Sequence, residues 1–274
     1  MVSKNHEIHS AAFNVSTALQ VTLLGTGTSQ GVPVIGCKCD VCCSSDPRDR
    51  RTRTSAYIRH GETCLLIDIG PDFRHQMLAN QLDNVHAILL THEHNDHTMG
   101  LDDIRPVNFL HKREMPLFGS PGALAEMRSR FAYAFDEEYK YPGKPSVKPV
   151  DIGPEPFSFQ GIDITPIPAD HGGMPVYGYR IGRFAYLTDA KVIPDSSKAL
   201  LQDLDVLVLN ALRHEPHPTH LHLKEAVALC DELKPRRAWF THISHSMGLH
   251  AEVEETLPDE IHLGYDNLII DIGS

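Results

Sequence analysis

Apolar residues along this chain gather into short runs that stop abruptly at glycine, polar or charged positions. Runs at 21–25, 55–58, 64–68, 87–90, 115–118 and 157–159 have the length of strands. Further runs follow at 162–167, 177–181, 183–187, 206–210, 237–240 and 268–272. Helical spacing is expected over 73–80, 122–135, 196–202, 223–233 and 250–257, as in Ala226, Val227, Leu229, Cys230 and Leu233. Each half of the chain repeats a strand-rich stretch followed by helix. That order fits an α/β sandwich, two mixed sheets face to face with helices outside, better than a doubly wound single sheet. Residues 20–274 read as one domain, and 1–19 as an N-terminal tail. Residues 136–156 are the least regular and read as a lid or an excursion toward a partner subunit, so a homodimer is compatible with the pattern.

The run at 87–91 ends in His92-Glu93-His94-Asn95-Asp96-His97, four metal-ligand types in six residues. A buried strand ending in imidazoles and a carboxylate delivers them to the rim of a sheet, where α/β folds place ligands. His92 and His94 share one side of an extended chain. Asp96 and His97, expected at the turn that follows, can reach a second ion. Histidines on a solvated loop are the plain alternative, but the preceding strand supplies the context a metal motif requires. The feature points to a two-metal hydrolytic centre.

Composition narrows the partners. A net charge of −11 argues against a surface that coats nucleic acid, which needs clustered Lys and Arg. The one basic cluster, Arg48 to Arg53, is short and reads as a solvated loop. No apolar run approaches the ~18 residues that span a membrane. The first twenty residues lack the apolar core of a signal peptide, so a cytoplasmic setting with reduced thiols is expected.

Other ligand types sit where other strands end. His171 follows 164–170, Asp189 follows 184–188 and His242 follows 238–241, so all three can converge on one rim, with Asp189 the best-placed bridge between two ions. Four of six cysteines fall in Cys37-Lys38-Cys39-Asp40-Val41-Cys42-Cys43, a spacing poor for disulfides and good for zinc. Cys37, Cys39 and Cys42 supply three thiolates. Closure by adjacent Cys43 is strained, so His245, three residues beyond His242, is the stronger fourth ligand. The zinc loop spans about 36–46.

The ordered series His92, His94, Asp96, His97, His171, Asp189 and His242 resembles the metallo-β-lactamase superfamily over about residues 21–273. The resemblance implies a metallo-β-lactamase-like αββα sandwich. It also implies one metal on His92, His94 and His171, a second on Asp96, His97 and His242, Asp189 bridging, and Asp68 bracing the ligand loop. The glycine-rich opening at 24–33, the cysteine loop, 241–245 and Gly264-Tyr265-Asp266 are similar to the phosphoribosyl 1,2-cyclic phosphate phosphodiesterase (PhnP) family. That family implies a dinuclear centre of manganese or zinc and a structural zinc on three cysteines and one histidine. It also implies His220, in the loop before 223–233, as general acid or transition-state stabiliser. Asp96 is counted with His220 among the catalytic groups. His222 stands where such relatives carry an acidic residue, which leaves the partner of His220 open. His214, His217 and His222 otherwise read as surface loop.

The expected activity is hydrolysis of a small phosphodiester, a cyclic ribosyl phosphate among the candidates, by a metal-activated hydroxide. Hydrolysis of a carbonyl ester, lactone or thioester by the same centre is the alternative. A tRNA-processing nuclease fits the charge poorly, and a non-catalytic metal-binding protein leaves His220 without a purpose. Three metal equivalents per chain are expected, two removable without unfolding. Selectivity is expected in the loops at 103–115 and 136–156.

Overall fold

The computed structural model describes residues 18–136, 138, 139 and 141–273. Most of the expected N-terminal tail therefore lies outside the described residues, and the first strand opens at Leu19. Strands are numbered in chain order. One seven-stranded sheet has the order β14-β1-β2-β3-β4-β5-β6. Its members are β1 (Leu19–Gly25), β2 (Ser55–His60), β3 (Thr63–Ile67), β4 (Ala87–Leu89), β5 (Met115–Gly119), β6 (Val147–Asp151) and β14 (Leu268–Ile272). The other runs β13-β12-β11-β10-β9-β8-β7. It comprises β7 (Phe157–Phe159), β8 (Ile162–Asp170), β9 (Pro175–Ile181), β10 (Phe184–Leu187), β11 (Val206–Asn210), β12 (Arg237–Thr241) and β13 (Ile261–Leu263). Both sheets turn from antiparallel to parallel pairing part-way across, at β3 and at β10.

Alternation along each strand explains the layers. In β3, Leu65 and Ile67 join the apolar core between the sheets, while Cys64 and Leu66 face the helices outside. In β11, Val206 and Val208 point between the sheets, and Leu207 and Leu209 pack toward the helix Leu223–Leu233. Strands buried on both faces read as continuous apolar runs, which is why they stood out in the sequence. Three cores thus separate four layers, and the fold is an αββα sandwich of the metallo-β-lactamase type.

Several expectations need correction. The helix expected over 122–135 is two helices, Pro121–Arg130 and Ala132–Phe135, broken at Phe131. Residues 103–115 are mostly helix, Leu101–Ile104 and Arg105–His111, and the irregular 136–156 contains β6. Asp96 and His97 sit on a one-turn helix, Asn95–Thr98. The basic cluster is not a solvated loop. Arg51 is buried, donating to Thr26 Oγ1 at 2.9 Å and lying 3.1 Å from His250 Nδ1, while Arg48 pairs with Asp46 and Arg53 with Asp72.

Candidate metal centre

Strands β3, β4, β8, β10 and β12 all run toward one rim, and each hands over a polar residue as it ends. Asp68 follows β3, His92 lies just past β4, His171 follows β8, Asp189 follows β10 and His242 follows β12. Asp68, Asp189 and His242 adopt left-handed backbone, with φ of 61°, 55° and 56°. Asp and His tolerate that region better than most residues, and non-glycine residues held there gather at functional sites. The turn swings each side chain inward from its strand.

The rim assembles two clusters that share one carboxylate. Ligand atoms of His92, His94, His171 and Asp189 lie within 4.8 Å of one another, as do those of Asp96, His97, Asp189 and His242. Asp189 Oδ2 is 3.2 Å from His97 Nε2, and its Oδ1 is 3.3 Å from His242 Nε2 and 3.9 Å from His171 Nε2. Asp96 Oδ2 lies 3.3 Å from His97 Nε2 and 3.5 Å from His242 Nε2. The Nε2 atoms of His92, His97 and His242 are buried and make no hydrogen bond. Buried nitrogens without partners carry a desolvation penalty. Nitrogens and carboxylate oxygens converging in this way fit two divalent ions.

Thr91, Asp68 and the Thr219 carbonyl set the orientations of His92, His97 and His171. His92 Nδ1–H donates to Thr91 Oγ1 (2.9 Å), whose hydroxyl donates to Asp68 Oδ2 (2.9 Å), and His97 Nδ1–H donates to the same oxygen (2.7 Å). The Thr91 backbone N–H closes on Asp68 Oδ1 at 2.8 Å. His171 Nδ1–H donates to the Thr219 carbonyl (2.7 Å), and Thr188 Oγ1–H to Asp189 Oδ2 (2.6 Å). With Nδ1 the donor, Nε2 keeps its lone pair for a metal. Thr241 Oγ1 joins Thr54 at 2.7 Å, which in turn meets Tyr186 at 2.8 Å. Sequence reasoning missed these residues, yet a signal existed: a Thr directly precedes His92, Asp189, His220 and His242. Gly70 matters for a different reason, because a Cβ there would meet the Asp96 carbonyl at 2.2 Å and push the ligand loop away.

The electrostatics are those of a site built for cations. Burial disfavours charge on His97, but Asp189, Asp96 and Asp68 outweigh it and hold its pKa well above the usual range. Burial likewise opposes ionisation of Asp96 and Asp189, yet the surrounding imidazoles keep both carboxylates well below theirs. A proton on His97 balances charge that divalent ions would balance better, so metal binding would release it.

His220 stands beside the shared carboxylate, its Nδ1 3.7 Å from Asp189 Oδ1. Its ring lies 4.6 Å from that of His171 and stacks at 4.7 Å on His242. Burial, then the neighbouring His242, lowers its pKa to about 3, so the ring is neutral. His222 does not fill the partner position, since its Nδ1 lies 2.6 Å from Glu225 Oε2 at the start of the following helix. His217 is drawn in from the surface loop where the sequence placed it, with its ring 5.0 Å from that of His220. His214 is exposed.

A separate cluster joins Cys37, Cys39, Cys42 and His245, again with ligand atoms within 4.8 Å. His245 Nδ1 is 3.4 Å from Cys37 Sγ and 3.3 Å from Cys39 Sγ, and Cys43 is exposed outside the group. Backbone hydrogen bonds lower the Cys37 and Cys39 thiols, while burial pushes Cys42 up to about 11. Three sulfurs and one imidazole suit tetrahedral zinc. One loop, 242–245, thus serves both clusters.

The sequence model of the beta-lactamase superfamily domain matches residues 63–243, which hold every residue of the two-cluster centre. The chain belongs to that superfamily. Within it, the chain is similar to a solved diphosphatase from the PhnP family, at 41% identity and a TM-score of 0.88, covering 93% of this chain and 97% of that one. It is also 40% identical over 253 residues to an octanoyltransferase of Porphyromonas gingivalis (strain ATCC BAA-308 / W83). That match covers 91% of this chain but 51% of the relative, so the chain spans about half of that protein's length. Zn(2+)-bound PqqB from Methylobacterium extorquens shares the fold, with a TM-score of 0.75 at 21% identity, covering 92% of this chain and 100% of that one.

Proposed function

We propose that this superfamily member is a metal-dependent phosphoric ester hydrolase whose substrate is a small phosphodiester, a cyclic ribosyl phosphate included. The observation that carries the reading is Asp189, one carboxylate shared by two clusters of ligand atoms. In this reading, His92, His94 and His171 would hold one ion and Asp96, His97 and His242 the other, with Asp189 within reach of both sets. Ions bound there supply Lewis acidity and a water of lowered pKa. Manganese or zinc fits the nitrogen and oxygen donors. Cys37, Cys39, Cys42 and His245 would hold a structural zinc, in keeping with their sulfur-rich donor set.

The chain's own groups do the rest. Asp68 and Thr91 fix His92 and His97, and the Thr219 carbonyl fixes His171, so the ligands need no reorganisation on binding. Asp96 and Asp189 stay ionised and orient the attacking water by accepting a hydrogen bond from it. His220, neutral and buried, donates an N–H hydrogen bond to the phosphoryl oxygen as charge gathers there. This favours the stabilising role over that of a general acid, which would have to arrive protonated.

The PhnP-family diphosphatase favours a second reading, in which the bond broken is a phosphoanhydride. Both readings put phosphorus at the centre of attack. Acyl chemistry, which the name of the octanoyltransferase evokes, is the competitor. Metal-loaded protein assayed side by side on bis(p-nitrophenyl) phosphate, a ribose cyclic phosphate, a dinucleoside diphosphate, a lactone and a thioester separates them. One of the three phosphorus substrates should be turned over fastest, and His220→Ala should cut that kcat about 100- to 1000-fold with metal content unchanged. Faster turnover of the lactone or thioester would refute the reading.

A further inference from the structure

With His220 serving the phosphoryl oxygen, the departing oxygen of the ester is left without a donor. His217 stands where one is needed. The His220 ring meets those of His171 and His242 at 4.6 and 4.7 Å, and that of His217 at 5.0 Å. Exposure rises from buried His242 through buried His220 to half-buried His217, so this row of rings leads from the ligand clusters to the surface. His217 itself belongs to neither ligand set.

Its loop holds the ring in one place. Pro216 and Pro218 flank His217 and fix φ on either side of it. Arg213 Nε donates to the Glu215 carbonyl and Nη2 to the Pro216 carbonyl, at 3.2 Å each. Thr219 is pinned as well: its Cγ2 lies 2.4 Å from where a Cβ on Gly172 would stand, and its carbonyl accepts from His171 Nδ1–H. The Thr219 backbone N–H donates to His217 Nδ1 at 3.3 Å. A backbone N–H can only donate, so Nδ1 is the acceptor and the ring proton sits on Nε2. Burial, then the Arg213 guanidinium, lowers the pKa of His217, which keeps the ring neutral at pH 7. Among the described residues, Nε2–H has no hydrogen-bond partner. The loop thus offers a fixed, free donor beside His220.

Resting on the phosphodiester reading, we propose that His217 is a second catalytic donor, whose Nε2–H hydrogen-bonds the leaving-group oxygen while His220 serves the phosphoryl oxygen. As the water oxygen bonds to phosphorus, the P–O bond to the leaving group breaks and its electron pair stays on the departing oxygen. The proton given up by the water ends on that oxygen, so one water is consumed and His217 is unchanged. The substrate class narrows accordingly. An ester that releases an alkoxide, as from a sugar hydroxyl, gains most from such a donor, and one that releases nitrophenolate gains least.

Two isosteres separate contact with substrate from support of the loop. Gln carries an amide N–H near the position of Nε2, whereas Asn carries an oxygen near Nδ1 for the Thr219 N–H. The full-length, metal-loaded chain is assayed for kcat and KM on a ribose cyclic phosphate and on bis(p-nitrophenyl) phosphate, with metal content and Tm as controls. His217→Ala and His217→Asn should lower kcat on the cyclic phosphate about 100-fold, and on the nitrophenyl ester about 3-fold or less. His217→Gln should restore the cyclic phosphate rate to within about 5-fold. His214→Ala, exposed on the same loop, should alter neither rate. Unchanged rates in the His217 variants, equal losses on both esters, or rescue by Asn in place of Gln would overturn the proposal. So would an unaltered chain that hydrolyses only the nitrophenyl ester, a result that leaves the phosphodiester reading standing. A chain inert on both esters refutes that reading and this inference with it.

Discussion

Asp68 touches no candidate metal position, yet it organises two of the groups that do the holding, His97 directly and His92 through Thr91. Its two oxygens accept from the Thr91 backbone, the Thr91 hydroxyl and His97, and His92 is tied in through Thr91. Replacing it by Asn keeps the size but removes the charge and turns one acceptor into a donor facing His97. Asp68→Asn is expected to weaken metal binding about 10- to 100-fold, the usual cost of losing such a partner. Competition with a chelator measures this directly, and an unchanged affinity would show that Asp68 only fills space. At this scale the sequence was informative about ligand types and their order, since each candidate sits just past an apolar run. The threonines were overlooked because their signal, a Thr directly before each of His92, Asp189, His220 and His242, is positional and not periodic. Nor did the sequence reveal the left-handed turns at Asp68, Asp189 and His242, which depend on how neighbouring strands end together.

Elements were legible where burial was two-sided or periodic. The helix Leu223–Leu233 was read to the residue because its buried positions, Leu223, Ala226, Leu229, Cys230 and Leu233, repeat at helical spacing. Arg105–His111 was missed because Phe109 and Leu110 face out, so no apolar stripe marks it. β6 escaped because Pro149 interrupts it, which an edge strand tolerates. The start of the helix Leu223–Leu233 also carries a pH-dependent element. Burial works against the Glu225 carboxylate, but Lys191, His222 and the His222 backbone hold its pKa down from 4.5 to about 2. A carboxylate depressed by folding adds stability above pH 4.5 and loses it as pH falls toward 2. Solvent screening of this partly exposed group leaves about 1 kcal/mol. Glu225→Gln should therefore lower the Tm at pH 7 by about 2–4 °C. Thermal scans should show that gap closing by about pH 2, and a gap of the same size there would remove the ion pairs as its cause.

For the whole molecule, the two sheets and their helices serve to bring five strand ends to one rim, where apolar cores hold charged groups in fixed positions. The order of motifs made the sandwich and its rim legible in the sequence. The convergence itself, with Asp189 between two ligand sets, needed the third dimension. In the proposed mechanism this rim works only with two ions. Its test is the rate at which the proposed phosphodiester substrate is hydrolysed as metal is returned, equivalent by equivalent, to protein stripped of all ions except one that Cys37, Cys39, Cys42 and His245 would hold. The expected result is no turnover at the start, a rise that completes at two equivalents per chain, and three metals in total. Full activity in the stripped protein, or saturation at a single equivalent, would contradict it.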